Sequence, residues 1–453
     1  MKRSSLLGHA AEALDRIRGG YRPADGVLAD FFRERRYLGA RDRREISGMV
    51  FGVLRHMRYL DQLVESTTAA FPDSSLRRAS GKSWPVLAAY VLHVDDDASS
   101  ETAEGLTEFI SACVPGGLPA GYVESLKGAR LPSVILDVPV TRIATMHSFP
   151  DCIIQEWIAR MGVDEAEALA ASLNRQAPLS IRVNTLKGTV DDCRKALEAA
   201  GVRPEKGICS PFALVLSKRL ALDTLQAYRD GLFEMQDEGS QLLSLLLDPQ
   251  PGMTVVDACA GGGGKTLHLA ALMQNAGRLV AVDVDDRKLR NLQQRADRAG
   301  AKLHMILSAE RDQTAMARLR GKAHGVLVDA PCSAIGTVRR NPALKLTYAG
   351  ERSQQLSATQ SALLESGSLL VRPGDRLVYS TCTLIEKENE EVASRFLERH
   401  PEFSLQSAHE ILKRWGVETD ASSAYLQLLP HRTGTDGFFA AVFVREARDA
   451  GMR

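Results

Sequence analysis

Six apolar segments in the C-terminal half of the chain, TVVDAC, LVAVDV, LHMILSA, HGVLVDA, RLVYSTC and FFAAVFVR, alternate with stretches of helical spacing. Strand-then-helix repetition leaves few ways to bury both kinds of element. It predicts an α/β fold built on a mostly parallel sheet with helices on both faces. Ligands in such sheets collect at the carboxyl ends of the strands. Cys259, Asp283, Glu310, Asp329 and Cys382 each end or just follow one of these segments. Five such residues at one edge argue for a site.

The rest of the chain reads differently. In 46–64, Ile46, Met49, Val50, Val53, Leu54, Met57, Leu60 and Val64 recur at three- and four-residue steps, the mark of a helix with one buried stripe. Segments 71–84 and 93–104, rich in Ser, Asp and Ala, read as loops, and VPGGLPAG (114–121) as a break. Beyond about 150, LSIRVNTL (179–186) and FALVLSK (212–218) are strand-like, and TVDDCRKALEAAG (189–201) is a helix with Thr189 as N-cap and a closing glycine. The chain therefore divides into an all-α domain (1–140), a small α+β module (141–235) and the sheet domain (236–447).

Composition narrows the function classes. No apolar run approaches the ~18 residues of a membrane span, and the N-terminus mixes charges into an amphipathic pattern unlike a secretory signal. Seven cysteines without tight spacing speak for a reducing cytoplasm, and no CxxC or His/Cys cluster suggests a metal site. Net charge is +1, so the chain as a whole has no strong attraction to nucleic acid. The arginine-rich stretch 31–58 and TVRRNPALK (337–345) are locally basic and suited to phosphates or to a solvated face.

The first segment runs into VVDACAGGGGKTLHLA (255–270). A phosphate-gripping P-loop needs a glycine at 259, where Cys259 stands. A dinucleotide fingerprint needs a third small residue that is missing here, although Asp283 lies at the right remove to accept from a ribose. S-adenosylmethionine fits better. Its amino-acid tail can rest on amide N–H groups where Cys259, Ala260, Gly261, Gly262, Gly263, Gly264 and Lys265 enter a helix, and its ribose can donate to Asp283. Glu310 can help orient the adenosine.

VLVDAPCSAIGTVRR (326–340) and RLVYSTCTLIEKENE (376–390) each place a cysteine where a strand opens into the crevice. With the glycine loop, this DAPCS and STC pairing resembles the RNA cytosine-5 methyltransferases of the RsmB/Sun (Fmu) type, across roughly 150–445. Residues 41–64 resemble part of the NusB-like helical domain of bacterial members. The resemblance implies a Rossmann-like methyltransferase sheet preceded by an α+β module and a NusB-like domain. It implies a cytoplasmic enzyme, a monomer, that moves a methyl group from S-adenosylmethionine to C5 of a cytosine in 16S ribosomal RNA. Transfer RNA or another RNA as substrate, and a non-catalytic RNA-binding assembly factor, are the alternatives.

Cytosine C5 is too weak a nucleophile to take a methyl unaided; a thiolate adding at C6 turns it into an enamine-like carbon. DNA cytosine methyltransferases use a Pro-Cys nucleophile, which points to Cys332; the RNA family uses the T-C cysteine, which points to Cys382. The resemblance selects Cys382 as nucleophile, with Cys332 assisting breakdown of the adduct. Asp329 is expected on the N3/N4 edge of the base and near the cofactor. Lys265 has two candidate partners, Asp329 and the cofactor tail. Arg339, Arg340 and Lys345, in a basic R-x-P-x-x-K stretch, are expected on the RNA backbone. The chain departs from the family pattern at Gly262, usually proline, at Glu310, usually aspartate, and at His324, usually acidic; an N-V-L-R signature is missing from 105–140.

Overall fold

The helix Ala40–Ala69 sets the core of the N-terminal part. Its buried face is Ile46, Met49, Val50, Val53, Leu54, Met57, Leu60 and Leu63, while Val64 is half-buried. Gly52 lets the helix Trp84–His93 cross closely, since a side chain there would strike the Tyr90 ring. The computed structural model describes residues 1–20, 22–71, 82–95, 100–114, 118–217 and 220–447. Much of the segments read as loops at 71–84 and 93–104, and the centre of the break at 114–121, lies outside the described residues. Residues 100–104 are not loop; they open the helix Ser100–Cys113, which Leu106, Phe109 and Ile110 bury. Spacing of apolar residues further along the helix outweighs its polar start.

Two compact units emerge. The first is Met1–Arg175 together with Val338–Tyr348, a body of packed helices. The helices Pro139–Met146, Asp151–Met161 and Val163–Asn174 belong to it, so it extends beyond the expected boundary at 140. The second unit is Gln176–Thr337 with Ala349–Arg453. No helix among the described residues is long and apolar enough to cross a membrane.

The second unit opens with four antiparallel strands in the order β2-β3-β1-β4: β1 (Leu179–Val183), β2 (Pro204–Lys206), β3 (Ala213–Leu216) and β4 (Phe233–Met235). Thr189 caps the helix Val190–Ala199 as expected, in a reciprocal bond with Asp192. The larger sheet has the order β10-β12-β9-β8-β5-β6-β7, with β11 beside β12. Its strands are β5 (Thr254–Asp257), β6 (Arg278–Asp283), β7 (Met305–Ser308), β8 (Ala323–Asp329), β9 (Val371–Thr381), β10 (Phe403–Gln406), β11 (Leu426–Leu428) and β12 (Phe438–Arg445). The run from β7 to β9 is parallel, and β12 is antiparallel to β9. The chain runs outward through β5, β6 and β7, then returns to the other side of β5 as β8. That reversal opens a crevice beyond the carboxyl ends of β5 and β8, where an α/β sheet binds its ligand.

Candidate active site

The glycine loop leaves β5 into the helix Gly264–Leu272. Gly263 has φ +88°, and a Cβ there would sit 2.9 Å from the Leu292 side chain, so glycine is needed on both counts. Gly261 has φ +55° with no heavy atom within 4 Å of where a Cβ would stand, so its backbone faces open space. Ala260 is buried beneath, and burial pushes the Cys259 thiol up, which suits a packing residue. At the base of the loop Thr266 donates to Asp257 at 2.7 Å, and burial raises that carboxyl to about 6.

Asp283, ending β6, accepts from the Gly261 N–H at 2.8 Å and the Asp285 N–H at 2.9 Å. Its carboxylate is thus fixed in the mouth of the loop with lone pairs to spare. Open backbone at Gly261 beside a fixed carboxylate fits a ligand with an amino-acid tail and a ribose diol. Glu310 lies just past β7, at the sheet edge that Asp283 occupies; it is exposed, with no hydrogen bond or ion pair among the described residues.

Lys265 reaches from the first turn of the helix Gly264–Leu272 to the end of β8. Its ammonium lies 2.6 Å from Asp329, whose other oxygen accepts from Ser380 at 3.0 Å. Burial by itself lowers the Lys265 ammonium, but the Asp329 carboxylate outweighs it and the net shift is upward.

The two cysteine motifs meet. Cys332 Sγ and Cys382 Sγ are 3.3 Å apart, at the ends of the neighbouring strands β8 and β9. The hydrogen bond to Cys382, then burial, hold the Cys332 thiol well above its usual range. A buried carboxylate organises both loops. Glu388 accepts from the Ser333 N–H (2.8 Å), the Ser353 hydroxyl (2.8 Å) and the Gln360 amide (3.1 Å). Asn389, beside it, accepts from Thr381 and donates to the Thr383 carbonyl. Gly336 and Gly437 touch beneath the cysteines: the Gly336 N–H donates to the Cys382 carbonyl at 3.0 Å and the Gly437 N–H to the Gly336 carbonyl at 2.8 Å. The sequence singled out neither Glu388 nor Asn389, since nothing in the spacing of EKENE marks them for burial.

The basic stretch needs correction. Lys345 is 3% exposed, and its ammonium donates to the Arg55 and His147 carbonyls and the Asn174 side chain within the helical unit. Arg339 is also buried, and its carbonyl accepts from Arg55. Neither can present its charge to an RNA backbone, because the segment Val338–Tyr348 is drawn into the helical unit's core. Arg340 alone of the three is exposed. His324, the departure before DAPCS, accepts from the Thr254 N–H at 3.0 Å where β8 and β5 begin, at the edge of the sheet remote from the site.

Residues 244–444 match the family model described as 16S rRNA methyltransferase RsmB/F, and residues 149–223 match the ferredoxin-like domain of RsmF/B-like methyltransferases. The probable ribosomal RNA small subunit methyltransferase B of Bacillus subtilis (strain 168) is 30% identical, covering 97% of this chain and 98% of the relative. Its counterpart from Synechocystis sp. is also 30% identical, over 92% and 94%. Among solved structures, that of PH0851 superposes with a TM-score of 0.74 at 28% identity, covering 98% of this chain and 99% of that one. A methyltransferase homolog from Pyrococcus horikoshii follows at 0.57 and 26%, over 70% and 100%.

Proposed function

The chain belongs to the RsmB/F family of 16S rRNA methyltransferases, and from that premise we propose that it methylates C5 of a cytosine in 16S ribosomal RNA through a covalent bond from Cys382 to C6. Methylation of ribosomal RNA with S-adenosylmethionine as donor is the activity of the family. The observation that carries the finer reading is the pair of sulfurs 3.3 Å apart at the crevice, with Cys332 held as the thiol.

The glycine loop, Asp283 and the neighbouring Glu310 would hold the donor, which when bound supplies an electrophilic methyl group on a sulfonium. Cys382, its sulfur 3.3 Å from that of Cys332, reacts as the thiolate and adds to C6 of the base. Electron density moves to N3, which takes up a proton from solvent as C6 is attacked, and Asp329, fixed by Lys265 and Ser380, accepts from the N4–H and the new N3–H. C5 can then attack the methyl group. Loss of the C5 proton to a base and expulsion of the Cys382 thiolate restore aromaticity. The Cys332 thiol, 3.3 Å away, can donate to that departing thiolate. The target base must leave its stack to reach such a crevice, and Arg340, the exposed member of the basic stretch, is the remaining candidate there for a phosphate contact.

Two variants test the assignment. Cys382→Ala should abolish both methylation and any covalent protein–RNA species. Cys332→Ala should accumulate that species, read as a denaturant-resistant band. Exchanged phenotypes would overturn the roles given to the two sulfurs. Bisulfite sequencing of 16S RNA from cells with and without the protein tests the substrate; an unchanged pattern refutes it.

A further inference from the structure

The glycine loop is gripped from behind by the four-stranded module. In the β1–β4 pairing Arg182 stands directly opposite Glu234, and both side chains are almost wholly buried. Arg182 Nη1 donates to the Gly264 carbonyl at 2.5 Å and to the Gln236 side chain. From the helix Asp286–Ala299, Arg295 Nη1 donates to the Gly262 carbonyl at 2.5 Å while Nη2 meets Glu234 at 2.9 Å. Arg298 takes the other Glu234 oxygen and lies with its guanidinium 3.9 Å from the Tyr228 ring centroid. The carbonyls on either side of Gly263 are therefore each held by a guanidinium, and both guanidinia are set by the strand pair that carries Glu234.

We propose that Arg182 and Arg295, organised by Glu234, are positioning residues that keep the glycine loop in its donor-binding shape, so that the module serves cofactor binding. This rests on the reading of the loop as the S-adenosylmethionine site.

Four successive glycines carry no side chains to pack, and each loses more backbone freedom on ordering than another residue would. Such a loop must be fixed through its peptide groups. In a trans peptide the C=O and N–H point oppositely. Holding the Gly264 carbonyl against Arg182 therefore turns the Lys265 N–H away from Arg182, as one of the orphan donors of the first helical turn. Three guanidinia around one carboxylate also leave net positive charge behind the loop, which favours a ligand carboxylate in front of it. Burying these charges is costly, and hydrophobic packing would stabilise the interface at least as well. What apolar residues cannot do is donate to the loop's carbonyls.

Binding of S-adenosylhomocysteine, measured by calorimetry on the full chain, tests this. Arg295→Ala removes a half-exposed side chain and leaves the module's core intact; Arg182→Met removes the buried charge at similar volume. Each should weaken binding about tenfold or more and raise KM for the donor in step, while KM for RNA stays within twofold. Arg295→Lys should restore part of the loss. A purely structural role would lower the unfolding temperature without this split between the two KM values. Folded Arg295→Ala protein that binds the ligand within twofold of the unaltered chain would overturn the proposal. Failure of the unaltered chain to bind at all would instead overturn the reading of the loop on which it rests.

Discussion

Replacing Lys345 by methionine separates a structural anchor from an RNA contact. The ammonium donates to the Arg55 carbonyl at 2.7 Å, the His147 carbonyl at 2.9 Å and the Asn174 side chain at 2.7 Å, and it lies 4.6 Å from the centroid of the Phe149 ring. Burial, then Arg55, push it well below the usual lysine range, so this charge is held at a cost. Methionine fills nearly the same volume and opens no large cavity. It leaves three buried acceptors without that donor, at about 1–3 kcal/mol each. Relief of the buried charge offsets part of that loss, several kcal/mol in general for a buried ion. The expected net is a destabilisation of about 2–4 kcal/mol. For a unit of this size that is a fall of very roughly 5–15 °C in the unfolding temperature of the helical part, followed by calorimetry. RNA affinity measured against salt should keep its slope, because each phosphate contact contributes only if its cation reaches solvent; losing one would lower the slope by about 0.7–0.9. An unchanged unfolding temperature together with a slope reduced by about that amount would refute the anchor and restore the phosphate role.

Asp257 gives a pH signature. Burial raises its carboxyl from 3.8 to about 6 in the folded chain, a cost of about 3 kcal/mol when it is ionised. The folded state holds the extra proton between these values, so the contribution of Asp257 to stability is fully present below pH 3.8 and is lost as pH rises through about 6. Asp257→Asn keeps an acceptor for Thr266 and removes the charge. Its unfolding free energy in urea, relative to the unaltered chain, should therefore improve by about 2.4 kcal/mol from pH 4 to 7.5; an offset independent of pH contradicts the burial argument. Glu388→Gln should reduce kcat by about ten- to a hundredfold with donor affinity unchanged, since an amide turns a donor toward Ser333, Ser353 or Gln360; equal loss of both would place Glu388 in general folding instead.

Much of the site was legible because strand ends are legible. The alternation of apolar segments put Asp283, Asp329 and Cys382 at one sheet edge, and the structure places Cys332 and Cys382 in contact there. The stripe on Ala40–Ala69 was legible for the same reason, a period of the helix itself. Other features depend on partners far along the chain. Lys345 reads as a surface cation until Arg55, His147 and Asn174 close around it, and nothing marks Glu388 until Ser333, Ser353 and Gln360 surround it. Local spacing carries no trace of such distant acceptors and donors. Arg182 sits in a strand otherwise rich in apolar residues, yet its carbonyl partner Gly264 lies in another domain of the sequence. The strands β10 and β11 were too short, at four and three residues, to display alternation.

The excursion Val338–Tyr348 means that the polypeptide passes from one unit to the other at 175, again at 337 and back at 348. A catalytic fragment starting at residue 176 would carry a strap whose lysine and apolar residues are shaped for a host it has lost, only a few residues downstream of Cys332. The two halves are thus spliced rather than strung together. A rearrangement that joined this sheet to a different leading domain would have to rewrite that internal strap as well as the junction, a reason to expect the two to be inherited as one piece.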